Sequence, residues 1–194
     1  MARSINLSRR IVLSLPLAIA ACGGDEPYRE TPPLRYDFLT KLRLNVGAID
    51  VGDPPPPSPV EAQSPAPAGA ALRQLAQDRL AAGGSSGRAV FMIDEARIVR
   101  TSSRLEGFLA VHLDVLTTDG TRAGFAEARV SRAATARSDL RTALYDLTRQ
   151  MLDDMNVEFE FQVRRSLREW LQDPTTAPAP APVEQEELRA PRAI

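Results

Sequence analysis

The sequence of 194 residues predicts an α+β fold, in which a mostly antiparallel four-stranded sheet carries a short helix and a long C-terminal helix on one face. Two observations lead to this prediction. Three separate stretches alternate with the period of two that is typical of strands, and a fourth is an unbroken apolar run typical of a central strand. A short segment with helical periodicity follows the first stretch, and a much longer helical stripe follows the last. The chain length fits one domain.

The chain opens with a segment typical of export signals. Three arginines precede an apolar run over residues 11–21, which is shorter than the roughly 20 residues that a membrane-spanning helix needs. Pro16 would interrupt a buried helix here, whereas a signal need not stay helical. A positive start, a short apolar run and small residues at its end therefore predict a signal peptide over residues 1–21.

The end of this run, Ile19-Ala20-Ala21-Cys22, resembles the lipobox of bacterial lipoproteins. That motif consists of an aliphatic residue, two small residues and an invariant cysteine. The resemblance implies that Cys22 is acylated, becomes the mature N-terminus and attaches the protein to a membrane. Because Gly23 and not Asp follows the cysteine, the sorting pattern of this class implies the outer membrane, on its periplasmic face.

The route of export stays open at this point. Residues 8–13 resemble a twin-arginine motif in which Val12 replaces the usual Phe. Two adjacent arginines also serve as ordinary positive charge at the start of a general secretory signal.

Charge and cysteine content exclude several classes of function. Without residues 1–21, which hold three arginines, the mature chain has a net charge near −4. A mildly acidic chain argues against nucleic acid as a partner, since such binding needs a concentrated basic face. Cys22 is the only cysteine, so its acylation leaves no thiol for a disulfide or a thiolate metal site.

The first third of the mature chain contains two stretches that are poor in core residues. Residues 22–35 are polar and contain proline, which predicts a flexible tether. Alternation over residues 36–51 then predicts the first strand. Residues 53–69 hold seven prolines, and we interpret them as a linker at the edge of the domain rather than as a polyproline ligand for an aromatic groove.

The remaining elements follow in close succession. Helical periodicity predicts a helix over 70–82, ended by two glycines. An apolar run without alternation predicts a strand over 88–100 that is covered on both faces or central in the sheet, and alternating patterns predict strands over 105–116 and 122–131. A bend or bulge is expected near Asp94, and Asp119-Gly120 predicts a hairpin turn between the last two strands. Small residues alternate along the final strand, which leaves room for the long helix to pack closely.

The long helix is predicted over 137–172, with Ser138 as its N-cap. At about 1.5 Å per residue it would measure roughly 50 Å, against roughly 33 Å for a strand of about ten residues. Its last turns are therefore expected to project beyond the sheet and to offer a docking surface for a partner, although plain core packing is the competing interpretation. The candidate contact residues are Phe159, Phe161, Leu167 and Trp170. Residues 173–194 are predicted to be disordered.

The search for catalytic chemistry finds little. His112 is the only histidine and lies on the polar side of its strand. Four acidic residues near it, Asp94, Glu95, Glu106 and Asp114, would bind a cation if they converged on adjacent strands, but a solvated sheet face is the favoured interpretation. No phosphate-binding glycine loop or paired-histidine helix occurs. We therefore predict a protein that is not an enzyme and needs no cofactor or metal.

The order of elements, strand, long linker, helix, three consecutive strands and closing helix, resembles the auxiliary lipoprotein of bacterial ABC-type lipid transport systems. The resemblance covers residues 36–171 and rests on that order and on the lipid signal. It implies a periplasmic domain that docks on an envelope protein, the transporter, and helps to move lipid, with the membrane bound through the lipid anchor.

A second class stays open, since small periplasmic lipoproteins that activate wall synthases share a similar element order. On that alternative the protein is a structural or regulatory lipoprotein that binds a cell-wall enzyme or another envelope protein. The two hypotheses differ in the surface they require. A transport accessory predicts an exposed apolar groove beside the sheet, and an interaction lipoprotein predicts a polar contact face.

Overall fold

The computed structural model describes residues 31–172. The predicted signal peptide, Cys22 with its predicted acylation and the predicted tail 173–194 lie outside these residues. The six strands are β1 (Leu42–Leu44), β2 (Ala48–Val51), β3 (Leu80–Ala82), β4 (Arg88–Thr101), β5 (Arg104–Leu116) and β6 (Arg122–Thr135). The two helices are α1 (Ala68–Arg79) and α2 (Leu140–Ser166), and short 3₁₀ turns occupy Glu61–Gln63 and Arg168–Trp170.

The main sheet has the strand order β2-β4-β5-β6. The pairings β4–β5 and β5–β6 are antiparallel, which confirms the predicted α+β class and the mostly antiparallel four-stranded sheet. The β2–β4 pairing is parallel, so the sheet is mixed. A parallel pair needs a crossover connection, and here the proline-rich segment and α1 provide it. Strands β1 and β3 form a separate parallel pair.

The three long strands confirm the details predicted for them. The β4–β5 register shifts between Ile93 and Glu95, where the sequence predicts a bulge. Gly120 has a φ of 84°, a left-handed conformation that glycine adopts without cost, and the Thr117 N–H donates to the Thr121 carbonyl across the turn. Alternate residues of β5 face the core and bring it to the centre of the fold.

The long helix is shorter than predicted and the strands are longer. Helix α2 has 27 residues and begins after Asp139, whose carboxylate accepts from the Thr142 N–H at 3.2 Å; Ser138 is not the N-cap. Its length is about 40 Å, whereas β4 and β6, with 14 residues each, span about 46 Å. The prediction that α2 projects beyond the sheet is therefore wrong.

Small residues on the sheet allow α2 to approach closely, as the sequence predicts. Gly107 of β5 lies directly under the Met151 side chain, and no Cβ would fit between them. A Cβ on Gly124 of β6 would lie 2.6 Å from Leu167 Cδ2. Both contacts place bulky residues of the C-terminal segment in the space that the glycines leave.

Two elements differ from their prediction because of pairing between distant segments. Residues 36–51 were expected as one strand, but they form a turn followed by β1 and β2, with a break at Gly47. The predicted helix over 70–82 ends at Arg79, because the next three residues pair with β1 as β3. This long-range pairing overrides the local helical pattern, which on its own is a weak determinant.

Candidate functional site

A strap, which we define as residues 32–44, runs beside α2 on the side away from the sheet. The Tyr145 hydroxyl donates to the Pro32 carbonyl at 2.9 Å near the start of α2. The Tyr36 hydroxyl donates to Asp153 at 2.8 Å near its middle. Contacts of the domain thus begin inside the segment 22–35 that the sequence assigns to the tether, and Leu34 packs against the core.

Asp78, a buried residue near the end of α1, holds the strap in place. Arg35 donates from Nε and Nη2 to its carboxylate at 2.9 and 3.0 Å, and the Tyr36 N–H donates at 2.8 Å. Gln74 supplies a further donor at 2.9 Å. Burial raises the pKa of Asp78, but the hydrogen bonds from Arg35, Tyr36 and Gln74 outweigh it, so this pKa lies below its ordinary value.

The next residue, Arg79, is also buried and connects three segments. Its guanidinium donates to the Thr40 carbonyl of the strap, to Asn156 Oδ1 of α2 at 2.7 Å, and to the Glu160 carboxylate of α2. A buried cation of this kind is tolerated because every side of it is paired. Together Asp78 and Arg79 fix the strap and α2 relative to α1.

The four candidate contact residues do not share one surface. Phe159 is buried and meets Phe91 edge to face at 5.4 Å, and Leu167 is also buried. These two belong to the core, which corrects their prediction as partner contacts. Trp170 is half-buried and packs above Gly124. Of the four, only Phe161 is exposed, because it lies two residues beyond Phe159 and so on the opposite side of the helix.

An apolar ridge lies on the exposed side of α2 and the strap. We define it as Phe38, Val157 and Phe161, whose relative exposures are 77%, 68% and 54%. Val157 and Phe161 follow Asp153 at intervals of four and therefore lie in one row. Phe38 lies on the strap near the start of this row, because its ring stacks on that of Tyr36 with the centroids 6.3 Å apart, and the Tyr36 hydroxyl donates to Asp153.

A basic cleft lies where the strap meets the end of α2. Its volume is about 430 Å³, and its lining includes four cationic side chains and two leucines: Lys41, Arg43, Arg164, Arg168, Leu42 and Leu171. Backbone hydrogen bonds build its floor, since the Gln172 N–H donates to the Arg43 carbonyl at 2.9 Å. Arg164 pairs with Glu160. The other three cations make no ion pair within residues 31–172.

The open face of the sheet carries His112 and the acidic residues for which the sequence favours a solvated face over a cation site. His112 Nδ1 lies 2.7 Å from Asp94, and its Nε2 lies 3.9 Å from Asp114. Glu95 instead pairs with Arg97, and Glu106 lies six residues from His112 along β5, about 20 Å away. The four acids do not converge, and across the described domain no three His, Cys, Asp or Glu side chains are arranged to hold a metal ion.

Sequence reasoning missed the strap and the buried charges that hold it. A signal for Arg79 was present, because it follows Leu75 by four residues and Ala76 by three and so falls on the apolar side of α1. A charged residue in that row predicts a buried ion pair. The basic cleft had no local signal, since its cations come from two segments more than 120 residues apart.

Comparison with known proteins shows only distant structural likeness. No protein family and no curated protein matches the sequence. Among solved structures, the chain is similar to a lipoprotein candidate from Caulobacter crescentus CB15, with 16% identity and a TM-score of 0.31. The match covers 42% of this chain and 65% of the Caulobacter chain, which is just under two thirds of the length of the Caulobacter chain. It is also similar to a minor lipoprotein from Acinetobacter baumannii, with 12% identity and a TM-score of 0.36. That match covers 62% of this chain and 95% of the Acinetobacter chain.

The two helices of the described domain differ from helices that cross a membrane. Neither α1 nor α2 combines the length and the apolar character that such a helix requires.

Proposed function

We propose that the protein is a lipid-anchored lipoprotein of the bacterial envelope whose periplasmic domain is a non-enzymatic accessory subunit of an ABC-type lipid transport system. The observation that carries this proposal is the lipobox-like segment Ile19–Cys22, followed by a domain whose main sheet has the element order strand β2, crossover with helix α1, strands β4 to β6 and closing helix α2. That order is the one on which the resemblance to the auxiliary lipoproteins rests.

The anchor is tested by fatty-acid labelling in cells. Wild-type protein should incorporate an alkyne-tagged fatty acid, and Cys22→Ser should lose the label, because acylation of Cys22 supplies the chains that give stable membrane attachment. Undiminished labelling of the variant would refute the assignment of Cys22. Sorting is a separate question: density-gradient separation should place wild-type protein with outer-membrane markers, and co-migration with inner-membrane markers would refute that location.

A second candidate function is favoured by the open face of the sheet. This face carries charged side chains that pair with one another, among them His112 with Asp94, and Arg122 with Asp114. Exposed aromatic rings lie between the charges, and Phe125 sits 5.1 Å from the Arg122 guanidinium. A polar face with aromatic members suits a protein partner, which supports a regulatory lipoprotein that binds a cell-wall enzyme or another envelope protein.

Site-specific photocrosslinking in cells separates the two candidates. A photoreactive residue is placed at Met92 or Phe125 on the open face, with the exposed Ala70 of α1 as the control position. A crosslink to a permease or substrate-binding subunit would support the transport accessory. A crosslink to a wall synthase would support the alternative. Equal products from the control position would exclude the open face as the contact surface.

A further inference from the structure

We propose that the apolar ridge and the basic cleft together form a surface that lies on a phosphate-bearing lipid bilayer. This inference rests on the proposed anchoring at Cys22 and deepens it, because it assigns the face that the domain turns toward the membrane. The bilayer is identified by its chemistry: anionic phosphate headgroups above an apolar interior.

The two parts of the surface are continuous. On α2, the exposed row Asp153, Val157 and Phe161 leads at the next interval of four to Arg165, beside Arg164 of the cleft. On the strap, Phe38 is followed within three residues by Thr40 and Lys41, which line the same cleft. Strap and helix run side by side, so apolar side chains and cations occupy one exposed strip of the molecule.

The charges in this strip are distributed differently from those in the rest of the domain. Elsewhere most arginines are held in ion pairs, as Arg132 is by Asp154. In the strip, Lys41, Arg43, Arg165 and Arg168 have no acidic partner within residues 31–172. Residues 31–172 carry 18 basic and 18 acidic side chains, so the local cluster of cations is not a consequence of overall charge. Anionic headgroups attract such clusters.

Exposed aromatic residues beside unpaired cations suit the membrane interface. Phe38 and Phe161 project apolar rings into solvent on a face that no other described segment covers. Insertion of such rings at the boundary between headgroups and acyl chains, with Lys and Arg beside them, is the usual arrangement of proteins that lie on a bilayer.

The length of the anchor places this face near the membrane. Eight residues lie between Cys22 and Thr31, so Thr31, which directly precedes the strap, lies within about 30 Å of Cys22. The strap itself forms one side of the strip. A chain that enters the domain along this side keeps the strip near the bilayer, whereas the open face of the sheet lies on the opposite side of the core.

Vesicle sedimentation tests the proposal without the acyl chains. The protein is the mature chain, residues 22–194, with Cys22→Ser, which removes the anchor and keeps the whole described domain. The probes are vesicles of phosphatidylcholine, with and without about 30% phosphatidylglycerol, at low salt. Binding to the anionic vesicles should be at least about tenfold stronger and should weaken as salt screens the charges. Equal binding to both vesicles, or to neither, would overturn the proposal.

Two matched double variants locate the surface. Arg43→Gln with Arg168→Gln removes two cations of the cleft, and Arg100→Gln with Arg104→Gln removes two exposed cations at the far end of β4 and β5 that likewise have no ion pair. The first should weaken binding about 25-fold, at about fivefold per cation, and the second should leave it nearly unchanged. Equal losses in both would show a general charge effect and overturn the proposal.

Competition with inorganic phosphate shows whether the surface binds lipid or soluble phosphate. Inorganic phosphate at matched ionic strength should not release the protein from anionic vesicles. Release would reveal a site for soluble phosphate and overturn the lipid surface.

One further variant tests whether the apolar ridge contributes to vesicle binding. Phe38→Ser with Phe161→Ser should weaken binding at least about fivefold, with no change in the circular dichroism of the domain. Unchanged binding would show that the ridge does not contact the bilayer and would overturn the proposal. Labelling at Cys22 is independent of all these outcomes.

Discussion

At the scale of single residues, two adjacent charged side chains of α1 organise the side of the domain that the strap covers. Asp78 collects donors from Arg35, Tyr36 and Gln74, and Arg79 donates to the strap and to α2. Neither charge has access to bulk water, so each depends on its partners. Removing one partner of Asp78 or Arg79 should therefore lower the free energy of unfolding by more than the loss of an exposed ion pair does.

We expect Asp78→Asn to lower the free energy of unfolding at pH 7 by about 1–3 kcal/mol, because the buried Tyr36 N–H and the Arg35 guanidinium lose their charged acceptor. The pKa of Asp78 lies below its ordinary value. Its stabilisation is therefore complete above the unfolded-state pKa, near 4, and is lost as the pH falls through the folded-state pKa.

Urea melts at pH 7 and pH 3 check this expectation, and the difference between wild type and variant should shrink at the lower pH. Asp37→Asn is the matched control, since Asp37 also binds Arg35, at 2.8 Å, but is exposed. Its effect should stay within about 0.5 kcal/mol at both values of pH. A variant as stable as wild type at pH 7 would contradict the role assigned to Asp78.

A second residue-scale prediction concerns the two aromatic residues near the end of α2. Phe161 is exposed, so Phe161→Ala should change stability by no more than about 0.5 kcal/mol. Trp170 is half-buried over Gly124. Trp170→Ala should therefore lower the free energy of unfolding by about 2 kcal/mol, less than the 3–5 kcal/mol typical of fully buried aromatic residues. Denaturant melts of both variants measure these two losses of stability. Equal losses would contradict the prediction, because they would show that the two side chains share one environment.

At the scale of secondary structure, local patterns predicted those elements whose neighbours agree with them. Period-two alternation predicted β5 and β6 to within a few residues, because each has one face in the core. An unbroken apolar run predicted β4 as covered on both faces or central in the sheet, and β4 lies between β2 and β5. The same reasoning failed at β1 and β3, strands of three residues each, which are too short to show a period and exist through their mutual pairing. The length of α2 was overestimated because Leu167 and Trp170 continue the apolar spacing through a 3₁₀ turn.

The contact between α2 and β5 yields a prediction about packing. Gly107→Ala should lower stability by about 1–3 kcal/mol, because the new Cβ would collide with the Met151 side chain. In a Met151→Ala background the same change should cost much less. A double-mutant cycle measured by chemical denaturation gives the coupling, expected at about 1 kcal/mol or more. Ala133→Val, on the exposed part of β6, is the control and should have little effect on stability. Additive losses of stability from the Gly107 and Met151 changes would contradict direct contact between the two residues.

At the scale of the whole molecule, the sequence predicted the class of fold well and the candidate site poorly. Hydrophobic periodicity is read along the chain, and it therefore reports which elements have a buried face. The strip of Phe38, Phe161 and the basic cleft depends instead on the strap lying beside α2, which is a long-range arrangement held by Asp78 and Arg79. No local pattern in residues 32–44 reports that arrangement, and exposed side chains carry no periodic signal.

The boundary of the folded domain provides the last prediction. Leu167 is fully buried, Leu171 bridges to Leu44, and the Gln172 amide donates to the Gly83 carbonyl at 2.7 Å. A chain that ends at residue 172 keeps all of these contacts and should unfold at the same denaturant concentration as the full mature chain. A chain that ends at residue 166 loses them and should be destabilised by more than about 3 kcal/mol, since the loss of a buried leucine side chain alone costs about 2–5 kcal/mol. Denaturant melts of both truncations test this boundary: a stable chain ending at 166 would show that the segment is peripheral, and destabilisation by the cut at 172 would show that the domain extends into residues 173–194.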